Sequence, residues 1–407
     1  MRSRDNSLHR VAALRVVLLR RKPDSTYSKA AHTLRIVRLP LSLFPSRLKF
    51  AAIGPLAAVV LAPILLAPTT SAMSDREPAK VTSASVHRPE PTYKITVGLD
   101  GDVFPVFANY ASMQAPQQRE WGTVAVTITN STDASVRDRI AVKIAGWSDQ
   151  EIQIAEMAAG QVRTFKFAPT FLPRLYQNHE ISAATAMVEI SDMGGRSIYQ
   201  TTMPVRLRSV DDMYWGTKFK YAPFIASWVT PHESQVEQIL SLAKESAPNR
   251  RLPGYESWKD AAMQERATQV QAKVIYDAVK QHGVSYVKSS VTFGGSADVS
   301  QRIRMPRESL MQNSANCIDG AVTFASLFEN LGMDPIVMLV PGHAFVGVRV
   351  AQGSQRYLFI DVAQVARMNF ESAVRSAEVT LGKFQDSEIT RIPIDQAREA
   401  GIYPMPF

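Results

Sequence analysis

The sequence predicts a mixed α+β protein in which a strand-rich part precedes a part that contains helices. From Thr92 to about Val210, apolar residues recur at every second position, which is typical of half-buried strands. After residue 211 they recur at helical spacing, and short apolar strands follow nearer the C-terminal end. The change of period near residue 210 predicts two folded domains, 92–210 and 211–407.

Positive charge is concentrated at the N-terminal end of the chain. Residues 1–50 carry 12 Lys and Arg against 2 Asp, whereas the remaining residues carry 34 Lys and Arg against 35 Asp and Glu. The formal net charge of +9 therefore does not indicate a nucleic-acid-binding surface, which requires basic residues gathered on the folded part.

The basic stretch is followed by the uncharged run FAAIGPLAAVVLAPILLA at 50–67 and by small residues up to Ala72. This is the order of an export signal, and the run is also close to the minimum length of a membrane-spanning helix. Residues 1–73 are therefore predicted to be either a cleaved signal or a membrane anchor. Both place the body outside the cytoplasm, in the periplasm or on the outer face of the cytoplasmic membrane. The polar, proline-bearing residues 74–91 are predicted to form a linker.

Domain 92–210 contains short β-rich runs separated by turn residues. About seven such runs indicate an antiparallel sandwich of immunoglobulin type, which we expect to act as a spacer or binding module. The runs are YKITVGL, TVAVTIT, IAVKIAG, EIQIAEM, VRTFKF, TAMVEIS and SIYQTTMPVRL.

The helical pattern begins at the sequence Thr230-Pro231-His232-Glu233, which has the form of a capping box with proline at the first helical position. The apolar residues Val236, Ile239, Leu240 and Ala243 then follow at helical spacing.

The single cysteine, Cys317, lies in the stretch SANCIDGAVTF. Asn316 can cap a helix whose third residue, Asp319, reaches back to the cap, so Cys317 is predicted to be the first helical residue. The N–H groups and partial positive charge of a helix start favour a thiolate. The alternative is a cysteine that serves only as a small buried apolar residue.

Three predicted strands follow this helix, at residues 336–340, 344–350 and 357–361. If Val350 pairs with Arg356, His343 and Asp361 are diagonal neighbours on one face of the sheet. If the register is shifted by two residues, they are directly opposite, and only an odd shift separates them. A cysteine nucleophile needs a base, and the base needs an orienting group, so this pair indicates catalysis.

The stretch NCIDGAVTFASLFENLGMDPIVMLVPGHAFVGV, followed by YLFIDV, resembles the core of the transglutaminase-like superfamily, which has a papain-type fold. It is most similar to exported bacterial members in which a β-sandwich precedes this core. The resemblance implies that Cys317 is the nucleophile, His343 the general base and acid, and Asp361 the residue that orients the imidazole. The interval of 26 residues from Cys317 to His343 is shorter than in the wider superfamily, which implies a trimmed substrate cleft.

Acyl transfer also requires donors for the developing oxyanion. The Cys317 N–H is one, and Gln312, five residues upstream, is a candidate for the second. No spacing of Cys and His indicates a metal site, and no cofactor is expected. The sequence thus predicts attack of Cys317 on an amide or ester carbonyl, most simply of a protein or peptide. Water would resolve the thioester in a hydrolase and an amine in a transferase. The alternative is a binding or scaffold protein that keeps the fold without turnover.

Overall fold

The computed structural model describes residues 90–256, 260–288 and 300–406, and over this part the chain has a mixed α+β architecture. The strands are β1 Thr92–Val97, β2 Asp102–Val103, β3 Val124–Thr129, β4 Val136–Ile144, β5 Glu151–Met157, β6 Val162–Phe167, β7 Ser182–Asp192, β8 Ser197–Leu207, β9 Asp212–Tyr214, β10 Ser285–Tyr286, β11 Ser300–Arg302, β12 Ser314–Ala315, β13 Pro335–Val340, β14 His343–Arg349, β15 Tyr357–Ile360 and β16 Thr390–Pro393. The helices are α1 Pro105–Ser112, α2 Ser234–Ser246, α3 Ala261–His282, α4 Pro306–Met311, α5 Cys317–Asn330, α6 Phe370–Leu381 and α7 Ile394–Glu399.

The N-terminal part contains two sheets whose apolar faces share one core. One sheet has the order β1-β3-β6, and the other has the order β2-β8-β7-β4-β5. Along β3 buried residues alternate with partly exposed ones, as burial of one face requires. All seven β-rich runs predicted from the sequence form strands, so this part of the prediction is confirmed.

Helix α1 lies within 92–210, where the sequence pattern predicts only strands, so this helix was not predicted. It connects the two parts of the chain through aromatic contacts. The ring of Phe107 lies 4.9 Å from that of Phe224 in an edge-on arrangement, and Trp121 and Tyr221 complete the cluster. The buried residues of both parts form one continuous core that also includes Met405 near the end of the chain.

The C-terminal part is organised around an antiparallel sheet with the order β15-β14-β13-β16, against which α5 packs. In the β14–β15 pair Val346 lies opposite Ile360, and the Val350 N–H donates to the Arg356 carbonyl at 3.0 Å. The structure therefore has the first of the two registers considered above, in which His343 and Asp361 are diagonal neighbours.

The start of helix α2 was predicted wrongly. The helix begins at Ser234 with Glu233 as its N-cap, whereas the sequence indicated a capping box at Thr230. The groups of the predicted box have other partners: the Thr230 N–H donates to Ser326 Oγ at 2.8 Å, and the Glu233 carboxylate accepts from the Arg307 N–H at 2.9 Å. Tertiary contacts thus replaced the local cap.

Within the described residues, no helix combines the length and apolar character needed to cross a membrane. The predicted signal or anchor at 1–73, with its apolar run at 50–67, and nearly all of the linker at 74–91 lie outside the described residues.

Gly347 provides a test of the packing of the central sheet. A Cβ added there would lie 2.7 Å from Phe359 Cδ1 and 2.8 Å from Ile336 Cγ2, and both of these side chains are buried. We expect Gly347→Ala to lower the free energy of unfolding by about 1–3 kcal/mol through overpacking. Gly382→Ala, whose new Cβ would lie 3.6 Å from its nearest neighbours, should change it by less than about 0.5 kcal/mol. Urea unfolding of the two variants measures this difference, and equal stabilities would contradict the packing described.

Candidate active site

Cys317 is the first residue of α5, as predicted, and only 2% of its surface is exposed. The Asn316 side chain accepts hydrogen bonds from the N–H groups of Ile318 and Asp319, both at 2.9 Å. The Gly320 N–H donates to the Asn316 carbonyl at 3.0 Å. These capping bonds leave the Cys317 N–H as the remaining donor of the first turn, next to its own sulfur.

Asp319 completes the capping box, and its buried carboxylate is surrounded by hydrogen-bond donors. One carboxylate oxygen accepts from the Asn316 N–H at 3.1 Å, and the other accepts from the Arg304 N–H at 2.9 Å. The Arg304 guanidinium lies 3.6 Å from the same carboxylate. Burial raises the pKa of Asp319, and these donors partly offset the rise. Asp319 therefore holds the helix start in place.

His343 links the cysteine to Asp361. Its Nε2 donates to Asp361 Oδ1 at 3.1 Å, and its imidazole also interacts with the Cys317 side chain. Because Nε2 faces the carboxylate, Nδ1 is the ring nitrogen left for the thiol. The structure thus brings together the three residues that the sequence singled out.

The environment of His343 favours the imidazolium. Burial alone lowers its pKa, but the hydrogen bonds to Asp361 and Cys317 and their negative charges outweigh burial and raise the pKa from 6.5 to about 9. Since the folded chain holds this proton more tightly than the unfolded chain, the resulting stabilisation is complete below pH 6.5 and is lost as the pH rises through about 9.

Asp361 is held by groups that sequence reasoning missed. Ser376 Oγ on α6 donates to Oδ2 at 2.8 Å, and the Ala363 N–H donates to Oδ1 at 3.2 Å. Burial tends to raise the pKa of Asp361, but His343, Ser376 and the Ala363 N–H hold it below its usual value. The bond from the Ala363 N–H could have been predicted, because an aspartate often accepts from the N–H two residues later in a turn. The bond from Ser376 could not, because α6 is a separate element further along the chain.

A cavity of about 470 Å³ adjoins His343. It is lined by Ser285, Tyr286, His343, Ala363, Gln364, Ala366 and Arg367. Tyr286 lies opposite Ala315, two residues before the cysteine, in the parallel β10–β12 pair. Burial raises the pKa of Tyr286, and so do the negative charges of Cys317, Asp319 and Asp361. No local pattern selects Tyr286, because its neighbours are brought to it by the fold.

Gln312, the predicted oxyanion donor, lies at the surface of the protein. It is the exposed C-cap residue of α4, and its N–H donates to the Glu308 carbonyl at 2.9 Å. Asn313 then turns the chain in a left-handed conformation with φ 49°. Among the described residues, no hydrogen bond joins the Gln312 side chain to Cys317 or His343, and Gln312 does not line the cavity. Its role as an oxyanion donor therefore stays a prediction.

His179, Asp211 and Glu308 form a second cluster of ionisable groups. Each offers a ligand atom within 4.8 Å of the others, which is compatible with a metal ion. However, Asp211 Oδ2 already accepts from His179 Nδ1 at 3.1 Å and lies 2.9 Å from Arg302 Nη2. A guanidinium at this oxygen opposes a second cation, so we interpret the cluster as an ion-pair network between the strand-rich part and α4.

Comparison with protein-family models and with curated proteins found no match for this chain. The functional interpretation therefore rests on the side chains themselves: a thiol at a helix start, an imidazole that interacts with it, and a carboxylate that orients the imidazole. Such an arrangement can stabilise a thiolate and carry a proton to a leaving group.

The Asp361 carboxylate should be a major cause of the raised pKa of His343. Asp361→Asn removes its negative charge and should therefore move the His343 titration midpoint down from about 9, toward the usual value of 6.5. The midpoint can be followed by NMR, with the signal assigned through His343→Gln. Asp277→Asn, which removes a partly exposed carboxylate paired with Lys273 on α3, is the matched control. An unchanged midpoint in Asp361→Asn would refute this electrostatic account.

Proposed function

We propose that this chain is an exported enzyme of the transglutaminase-like type that catalyses cysteine-dependent acyl transfer or hydrolysis. The observation that carries the proposal is that His343, which is hydrogen-bonded to Asp361, also interacts with Cys317 at the start of a capped helix and lines a cavity. In the proposed architecture, residues 211–407 form a papain-type domain and residues 92–210 an immunoglobulin-like sandwich.

In the proposed reaction, the Cys317 thiolate attacks the carbonyl carbon of an amide or ester, and the Cys317 N–H stabilises the oxyanion. As the carbon–nitrogen or carbon–oxygen bond breaks, the His343 imidazolium gives its proton to the leaving group, and a thioester remains. His343 then accepts a proton from the water or amine that attacks the thioester. Water makes the enzyme a hydrolase, and an amine makes it a transferase; a protein or peptide amide is the proposed substrate, and no cofactor takes part.

A second candidate is a binding or scaffold protein that keeps this fold without turnover. The near-complete burial of Cys317 favours it, because a substrate carbonyl must reach a sulfur that is only 2% exposed. The cavity beside His343 favours the enzyme, because it supplies a route to the site.

Acylation of the full chain distinguishes these candidates. With 4-nitrophenyl acetate, we expect an acetyl group on Cys317, located by peptide mass spectrometry, with 4-nitrophenolate as the leaving group. Cys317→Ala should abolish this adduct, and His343→Ala should slow its formation by roughly 10²–10⁴-fold. His232→Ala, which changes an exposed histidine before α2, is the control and should leave the rate unchanged.

Two results would argue against the enzyme: acylation of Cys317 only after unfolding, or a native rate that does not respond to His343→Ala. Stable acylation that neither water nor an added amine reverses would favour the binding protein.

The proposal of export rests on the order of the basic segment, the apolar run at 50–67 and the linker at 74–91. A reporter enzyme that is active only outside the cytoplasm, fused after residue 90, should be active in cells. Deletion of residues 50–67 should remove that activity, because the apolar run drives both export and any membrane association. Reporter activity that survives the deletion would mean that this run is not the signal.

A further inference from the structure

The cavity beside His343 contains a positive charge that the proposed reaction does not use. Of the seven described residues that line it, Arg367 is the only one besides His343 with a side chain that can be cationic, and none of these seven is an aspartate or glutamate. Arg367 is exposed and lies in the turn that follows Asp361. Within the described residues, no carboxylate lies at ion-pair distance from its guanidinium.

The other arginines of this region have partners. Arg349 pairs with Asp334 at 2.9 Å and with Asp395 at 2.7 Å. Arg398 pairs with Glu329 at 2.9 Å. In each of these pairs the guanidinium is largely removed from water and is matched by a carboxylate. Arg367 differs, since it is exposed and lines the cavity that His343 also lines.

Gln364 adds a second donor to the same wall. The Arg367 N–H donates to the Gln364 carbonyl at 2.9 Å, so the two residues lie one helical turn apart, and both line the cavity. Residues three apart on such a turn are neighbours on its surface. A guanidinium fork next to a primary amide presents several N–H donors in the geometry that suits a carboxylate.

We propose that Arg367 determines specificity by binding a free carboxylate of the substrate, close to the amide or ester bond that Cys317 attacks. Gln364 assists as a neutral donor. The substrate class is thus an acidic acyl compound, in which the carboxylate is either a chain terminus or an acidic side chain. This inference rests on the proposed function, because it assigns a preference to the same thiol.

Matched alkylating probes test the preference on the full chain. Chloroacetyl-glycine carries a terminal carboxylate and chloroacetyl-glycinamide is its neutral match. Chloroacetyl-aspartic acid α-amide carries a side-chain carboxylate and chloroacetyl-asparaginamide is its neutral match. In each, the Cys317 sulfur displaces chloride from the methylene carbon and forms a thioether, and mass spectrometry gives the rate constant.

We expect at least one acidic probe to react roughly tenfold faster than its neutral match, because a charge-assisted hydrogen bond to Arg367 holds it in place. The pair with the larger ratio identifies the source of the carboxylate. Arg367→Gln should reduce that ratio several-fold, Arg367→Lys should keep part of it, and Arg367→Glu should reverse it. His343 attracts both acidic probes in every variant, so the change in ratio isolates Arg367. Arg196→Gln, an exposed arginine in the β7–β8 turn, is the control and should leave the ratio unchanged.

The outcomes separate the two proposals. Equal rates for acidic and neutral probes in the native chain, or a ratio that survives Arg367→Gln, would overturn the role of Arg367 while leaving the nucleophile intact. Failure of all four probes to label native Cys317 would instead overturn the proposed function, and the specificity inference with it.

Discussion

The hydrogen bond from His343 Nε2 to Asp361 Oδ1 is the interaction on which the geometry of the site depends. It exists because β14 and β15 pair in a register that places Val346 opposite Ile360. A shift of one residue would put the two side chains on opposite faces of the sheet. The end of β15 is fixed from the other side by α6, since the Asp361 N–H donates to the Ala373 carbonyl at 3.1 Å. The sheet and α6 together hold the carboxylate, and the carboxylate holds the imidazole.

The cysteine reaches this pair through close packing of α5. A Cβ on Gly320 would lie 3.2 Å from Val362 Cγ2, so glycine allows the first turn of the helix to approach the turn that follows Asp361. The capping box then fixes the direction of the helix start. Burial of Cys317, Asn316 and Asp319 removes water from around these bonds, which strengthens each of them. The same burial limits access, so the open side of the site is the cavity beside His343.

Those parts of the fold that depend on local pattern could be predicted from the sequence. The strands of the N-terminal part follow from alternation, the start of α5 follows from Asn316 and Asp319, and the spacing of His343 and Asp361 follows from strand pairing. Other features could not be predicted, because tertiary contacts decide them. The groups expected to cap α2 bond elsewhere: the Thr230 N–H donates to Ser326, and the Glu233 carboxylate accepts from Arg307. Gln312 is exposed next to the turn at Asn313. Ser376 and Tyr286 reach the site from segments outside the motif, and no spacing rule connects these two residues or Arg367 to Cys317.

The central claim is that Cys317, His343 and Asp361 act as one unit, and a double-mutant cycle tests it most directly. The rate constant for acylation of Cys317 by one activated ester would be measured in the native chain, in His343→Ala, in Asp361→Asn and in the double variant. If Asp361 acts only through the imidazole, the double variant should react about as slowly as His343→Ala alone, and the two losses should not add. Fully additive losses would contradict the account, because they would mean that the carboxylate and the imidazole affect the thiol independently.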